Sequence, residues 1–279
     1  MKSFEWSWKN PAQVDIYAKM WTSETDKQPQ AIVILQHGLG EHIGRYEHVA
    51  AYLTAHNIVM MGNDRSGHGK SGAKRGHIHK YTYTFDDIQQ LKAKAQSLYP
   101  NVPLFLYGHS MGGGIVVNYL VTQKDKDFKG VIATGPAFKP GTKPSSIDLV
   151  LGKLMRSIYG GFTQNNGLDL AYLSRDTSVI EAYKNDTLVH GKLSAETGLG
   201  LLEFGQEALD KVDELAVPLL LLHGTDDKLT DPKSSEEFVK KAKGDLTYKF
   251  YEGWRHELHN EIGKEEVLKL ILDWIISKS

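Results

Sequence analysis

Residues 103–114, PLFLYGHSMGGG, constrain this chain more than any other stretch. An apolar run, Leu104 to Tyr107, stops abruptly at Gly108, and Gly108-His109-Ser110-Met111-Gly112 leads into helix-like spacing over 113–123. A chain that leaves a strand and enters a helix within about two residues holds its turn residue in a strained backbone conformation, crowded on both sides. Gly108 and Gly112 lack the Cβ atoms that would do the crowding. Ser110 is left at the apex with its hydroxyl exposed, beside amides at a helix N-terminus, where the dipole favours negative charge. A G-x-S-x-G pattern alone is common. The strand before it and the helix after it separate a nucleophile from an incidental serine in a Gly-rich turn.

The rest of the chain supplies a setting for that turn. Alternation over 14–20, with Val14, Ile16, Ala18 and Met20 on one face, predicts a half-buried strand. Continuous apolar runs over 31–35 and 58–61 predict strands covered on both faces. Further strands are expected at 131–134, 217–222 and 246–251. Helical spacing appears over 46–55, 85–98, 234–242 and 265–276. The second of these is expected to be capped near Thr84, with Asp86 and Asp87 in its first turn. Strands alternating with helices imply a mostly parallel sheet flanked by helices, an α/β fold. Ligands in such sheets sit at the carboxyl ends of the strands, which is where Ser110 lies.

Residues 137–205 break the rhythm. Pro136, Pro140, Gly141 and Pro144 interrupt the chain, and no strand pattern is visible before Val217. Ile147, Val150, Leu151, Leu154, Met155 and Ile158 then recur at helical spacing. We expect a mainly helical cap inserted between two halves of a core, 1–136 and 206–279. The apolar stripe has two readings: packing within the cap's own core, or lining an acyl tunnel or transiently touching a membrane surface.

A serine nucleophile needs a base, a carboxylate that orients the base, and an oxyanion site. In a sheet of this kind the chain order is Ser, then Asp or Glu, then His. The loop after the strand at 217–222 carries Asp226, Asp227 and Asp231. The loop after the last strand carries His256 and His259. Asp227 is the choice for the orienting carboxylate, because Asp226 suits a turn and Asp231 before Pro232 suits a helix cap. His256 is the choice for the base, with His259 expected to open the last helix. The amide after the nucleophile, Met111, and the Leu39 amide in the loop after the 31–35 strand are the candidate oxyanion donors.

Composition narrows the partners. With 33 basic and 34 acidic residues the net charge is −1, and no like-charge block suggests a nucleic-acid arm. The sequence has no cysteine, which excludes disulfides and cysteine-based metal or redox chemistry. The first ten residues, MKSFEWSWKN, have no apolar core of a signal peptide, and no run approaches the roughly 18 apolar residues of a membrane-spanning helix. The expectation is a cytoplasmic protein that needs no metal or cofactor. Its oligomeric state is left open.

HGLGEHIGRY (37–46), DRSGHGKS (64–71), GHSMGG (108–113), HGTDDKLTD (223–231) and GWRHELHNE (253–261) together resemble the α/β-hydrolase superfamily. The resemblance is closest to its monoacylglycerol lipase and lysophospholipase-like branch, of the serine aminopeptidase S33 type. It implies an α/β-hydrolase fold, Ser110, Asp227 and His256 at the triad positions, and Leu39 and Met111 at the oxyanion positions. It also implies a polar subsite near Glu41, Arg45, Tyr183 and His259 for the glycerol end of a lipid ester. A bracing role for Glu41 and Arg45 in the oxyanion loop carries equal weight. Two positions depart from the family pattern. Leu39 replaces a smaller residue and is expected to narrow the pocket, and Thr187 stands where the cap segment often has proline. The implied activity is hydrolysis of monoacylglycerols or similar lipid esters. Alternatives are a lysophospholipase or general carboxylesterase, an aminopeptidase or amidase, and a non-catalytic binding protein on the same scaffold.

Overall fold

The structure, a computed structural model, describes residues 1–25 and 27–279, the side chain of Glu214 left aside. In chain order its elements are β1 (Lys2–Lys9), β2 (Asp15–Thr22), β3 (Ala31–Gln36), α1 (Glu47–Ala55), β4 (Ile58–Asn63), α2 (Tyr83–Leu98), β5 (Leu104–His109), α3 (Met111–Gln123) and β6 (Phe128–Thr134). Then come α4 (Ser146–Tyr159), β7 (Thr163–Asn165), α5 (Thr177–Asn185), β8 (Lys192–Ser194), α6 (Ala195–Asp210), β9 (Leu219–Gly224), α7 (Pro232–Lys241), β10 (Leu246–Tyr251) and α8 (Lys264–Lys278). Eight strands form one sheet in the order β1-β2-β4-β3-β5-β6-β9-β10. The pairs from β4 through β10 are parallel, while β2 runs antiparallel to both β1 and β4.

The apolar runs explain the layers. Every residue of β3, β4, β5 and β9 is buried, because helices cover both faces and each second side chain enters a different core. Ile32, Ile34, Leu104, Leu106, Leu219 and Leu221 face α2, α3 and α7 through Leu91, Ile115, Leu120 and Phe238. Ala31, Val33, Leu35, Phe105, Leu220 and Leu222 face α1 and α8 through Val49, Leu53, Val267, Ile271 and Trp274. The two sets alternate residue by residue, as the pleat requires.

Several elements differ from expectation. β1 carries Phe4, Trp6 and Trp8 at alternate positions, but it is an edge strand and largely exposed, so no continuous apolar run announces it. The segment between β6 and β9 is not strand-free: β7 and β8 pair antiparallel, Thr163 opposite Ser194. Each has three residues, too few for a periodic signal. α2 begins at Tyr83 without a side-chain cap; the Thr84 hydroxyl donates instead to Tyr81 O at 2.7 Å. Asp87, expected in the first turn, is buried and accepts from Trp8 Nε1 at 3.3 Å. α6 runs through residue 205, and its last turn, with Ala208 and Leu209, joins the core beside α3. Among the described residues no helix is long and apolar enough to cross a membrane.

Candidate active site

Ser110 lies between β5 and α3 with φ 56° and ψ −119°, a conformation a residue with a Cβ adopts only under constraint. The constraint is steric and hydrogen-bonded. A Cβ at Gly112 would strike the Gln36 carbonyl, and one at Gly108 would strike the Gly112 carbonyl. The Ser110 N–H donates to Thr134 O at 2.9 Å, and its carbonyl accepts from Ala137 N at 2.9 Å and Gly114 N at 3.0 Å. These bonds tie the turn to the end of β6. Met111 is the first residue of α3, so its N–H has no partner within the helix.

Asp227 follows β9 and is a hub. Its Oδ2 accepts from His256 Nδ1 at 2.6 Å, His223 Nε2 at 3.1 Å and the Thr230 hydroxyl at 2.8 Å. Its Oδ1 accepts from the amides of Leu229 at 2.8 Å and Thr230 at 3.0 Å. Burial raises the cost of its charge, but His256 and His223 outweigh burial and hold the carboxyl well below the usual carboxylate range. His256 shows the reciprocal effect. Burial favours its neutral form, yet the Asp227 charge and bond raise its pKa above the ordinary histidine value. Gly135, at φ 50°, lies against the His256 ring; a Cβ there would sit 3.3 Å from Nδ1. The His109 ring lies 4.7 Å from that of His256 between centroids, tilted by 52°, and burial together with His256 pushes His109 down to about 3. Asp226 is half-buried beside Lys228 at 3.1 Å. Asp231 caps α7, accepting from Lys233 N at 3.0 Å.

The loop after β3 carries Leu39 and comes close to the nucleophile: a Cβ on Gly38 would sit 3.3 Å from Ser110 Cβ. Glu41 Oε1 accepts from Gly38 N at 2.5 Å and from the Tyr46 hydroxyl at 2.7 Å. Its Oε2 accepts from Arg45 Nη1 at 2.7 Å. Arg45 also grips Glu257 with both Nη atoms, at 2.6 and 2.7 Å, and lies 4.7 Å over the Tyr183 ring. Burial works against the charge on Glu257; Arg45 overcomes it and holds that carboxyl below the usual range. His259 does not open α8. It sits in a short 3₁₀ turn, fully buried, stacked 4.6 Å from Tyr46, and Gly263 at φ 90° separates it from the helix.

One cavity of about 400 Å³ takes in Ser110, Met111, His256, Gly38 and Leu39, within the range of small-molecule sites. Glu41, Tyr183 and Glu257 line it, with Gln164 and Asn166 from β7 and its loop. Arg45 and His259 are not among its lining residues. Its apolar lining includes Phe138, Leu149, Leu151, Met155, Leu199 and Leu202. The α4 stripe is therefore divided: Met155 and the half-exposed Leu151 reach the cavity, joined by Leu149 from outside the stripe, while Ile147, Val150, Leu154 and Ile158 are exposed and do not line it. The segment between β6 and β9 is bonded to the site loops through His190 N to Gly40 O at 2.9 Å and Glu257 N to Leu173 O at 2.8 Å. His223, Thr230, Gly135 and Glu257 were not singled out from the sequence. Three of them stand inside quoted motifs or beside His256, but residue type alone does not reveal a buried bonding partner.

A mostly parallel sheet, a strained serine at the end of β5, and an Asp–His pair on the loops after β9 and β10 define an α/β-hydrolase. The sequence model of the family described as "Serine aminopeptidase, S33" matches residues 27–263, and the chain belongs to this family. It is 35% identical over 275 residues to a monoacylglycerol lipase of Mycolicibacterium smegmatis, covering 98% of this chain and 97% of that one. A Dictyostelium discoideum uncharacterized abhydrolase domain-containing protein is 38% identical over 259 residues, and there the match spans 92% of this chain but only 27% of the relative. The crystal structure of a Paleococcus ferrophilus monoacylglycerol lipase is similar at a TM-score of 0.86 and 32% identity, over 95% of this chain and 99% of that one.

Proposed function

We propose that this chain is a carboxylic ester hydrolase that cleaves monoacylglycerols to fatty acid and glycerol. The observation that carries the reading is the cavity itself: Ser110 and His256 share it with an apolar group around Met155 and Leu199 and a polar group around Glu41 and Tyr183. A lipid monoester has two such unlike ends. The monoacylglycerol lipase from M. smegmatis, similar over nearly its full length, supports the same substrate class.

In this reading Ser110 Oγ attacks the ester carbonyl as its proton passes to His256 Nε2. Asp227 fixes the imidazole tautomer through Nδ1 and stabilises the imidazolium. The carbonyl electron pair moves to oxygen, where the Leu39 and Met111 amides receive it, each worth about 3 kcal/mol in the transition state. Collapse expels the glycerol oxygen, which takes the proton from His256. Water then repeats the sequence on the acyl-enzyme and releases the fatty acid. Glu41 and Tyr183 face the glycerol end, and Arg45 and His259 act behind them by holding Glu41, Glu257 and Tyr46 in place. Residues 137–205 form the cap over the acyl chain, and the exposed side of α4 meets the lipid surface from which substrate is drawn. A cytoplasmic location completes the proposal, supported by a sequence without cysteine.

A fluorophosphonate probe and a substrate panel test this. The wild-type protein should label at Ser110 and hydrolyse long-chain monoacylglycerols in preference to p-nitrophenyl acetate and aminoacyl amides. Ser110→Ala should fold normally and lose on the order of a million-fold in kcat. A tenth of wild-type activity in that variant would remove Ser110 from the mechanism. A preference for aminoacyl amides would make the chain an aminopeptidase.

A further inference from the structure

Arg65 presents a buried charge that the mechanism leaves unused. It follows β4 by two residues and has no exposed surface. Among the described residues no carboxylate pairs with it, although buried guanidinium groups ordinarily have such a partner. Burial, the largest influence, pulls its pKa down to about 10. Its Nη2 donates to two backbone carbonyls of the oxyanion loop, that of His37 and, at 2.9 Å, that of Gly38. Nη1 reaches Gln36 Oε1 at 3.5 Å. His37 assists from the same side. Its Nε2 accepts from Arg65 N at 3.0 Å, and its Nδ1 lies 2.7 Å from Gly38 O and 3.0 Å from Arg65 Nη2.

The Gly38 carbonyl and the Leu39 N–H belong to one trans peptide unit and point in opposite directions. Whatever holds the oxygen aims the N–H. A cation bonded to that oxygen also polarises the amide, which makes its N–H a stronger donor, more so in a site of low dielectric. Glu41 meanwhile holds the Gly38 N–H, so the residue before the proposed oxyanion donor is clamped at both of its backbone polar groups.

We propose that Arg65 is a positioning residue for the oxyanion hole. It fixes and polarises the Gly38–Leu39 peptide so that the Leu39 amide binds the tetrahedral oxygen more strongly than it binds the ground-state ester. Interactions of that kind raise kcat and leave KM nearly unchanged. The proposal rests on the reading of Leu39 as an oxyanion donor.

The test uses the purified full chain, with active sites titrated by a fluorophosphonate so that only folded molecules count. Arg65→Gln and the conservative Arg65→Lys are compared on a p-nitrophenyl ester and with a trifluoromethyl ketone. Ser110 Oγ adds to the ketone carbon, its proton goes to His256, and the ketone oxygen becomes an anion in the oxyanion hole. Disorienting one donor is expected to lower kcat per titrated site about tenfold to a hundredfold in Arg65→Gln. KM should stay within about twofold, and ketone affinity should fall in parallel with kcat/KM. Arg65→Lys, which keeps the charge but not the fork of donors, should recover part of both losses. A kcat per titrated site within twofold of wild type in both variants, with the only change in melting temperature, would reduce Arg65 to a structural brace and overturn the proposal. A fall in ketone affinity no larger than the change in KM would do the same. Failure of the wild-type chain to label or turn over would instead remove the hydrolase reading on which the proposal stands.

Discussion

At the scale of single residues, three aspartates within six positions have three different surroundings. Asp227 takes five hydrogen bonds, Asp231 caps α7, and Asp226, half-buried, pairs with Lys228. Asp227→Asn should therefore lose roughly four orders of magnitude in kcat, since the amide stabilises the wrong histidine tautomer. Asp231→Asn keeps a capping residue, and Asp226→Asn keeps a turn former; neither should lose more than about threefold in activity. Kinetics on the three variants decide this, and a larger loss at Asp226 or Asp231 would reassign the orienting acid. The pH profile follows from the same geometry. His256 works as a base only when neutral, and Asp227 raises its pKa. Activity should accordingly disappear as pH falls through a value above the ordinary histidine value of about 6.5. The acid limb of kcat/KM measures it, and a limb below that value would contradict the Asp227–His256 coupling.

Elements were most legible where both faces are covered. β3, β4, β5 and β9 announce themselves as apolar runs because helices bury every residue. β1 and β2 form the antiparallel edge, and there a polar contact rather than a run of apolar residues joins strand to helix: Trp8 Nε1 donates to Asp87 on α2. Burial, the largest influence, pushes the Asp87 carboxyl up to about 7 from an ordinary 3.8. A carboxyl whose pKa is raised by folding binds its proton more tightly in the native state. Its stabilising effect is thus full below about pH 3.8 and is lost as pH rises to about 7. Asn at this position still accepts from Trp8 and cannot ionise. Asp87→Asn should raise the melting temperature at pH 8 more than at pH 5. An equal change at the two pH values would show that Asp87 is ionised at little cost in the folded protein.

For the molecule as a whole, α4 links the chemistry to its surroundings. It has no fully buried residue, yet it carries apolar side chains on two faces, one toward the cavity and one toward solvent. Met155 and Leu154 are neighbours that face apart: the first lines the cavity, and the second is 52% exposed. A tunnel role for both, as the stripe alone suggests, does not survive that geometry. Met155→Asp should depress kcat/KM for long-chain monoacylglycerols far more than for acetate esters, because a charge in an apolar passage costs several kcal/mol once a chain displaces its water. Leu154→Asp should leave the chain-length profile unchanged and weaken sedimentation with phosphatidylcholine vesicles. Kinetics and vesicle binding on both variants separate the faces. Equal effects on chain length would mean that the cap only shields the triad, and vesicle binding unmoved by Leu154→Asp would free the outer face of α4 from any lipid role.

The sequence by itself determined the alternation of strands and helices, the strained turn at Ser110, and the loops that carry Asp227, His256 and Leu39. Each of these is local: a run of side chains, a pair of glycines, or a loop directly after a strand. It could not determine what those loops touch. That Asp227 is shared by His223, Thr230 and His256, that Arg45, bonded to Glu41, reaches Glu257 across 212 positions, and that Arg65 grips the Gly38 carbonyl all depend on strands distant in sequence lying side by side. The same holds for the two faces of α4, both apolar and distinguished by what lies beneath one of them. Periodicity reports which residues avoid water, whereas the partner of a buried polar group is set by the order of strands in the sheet.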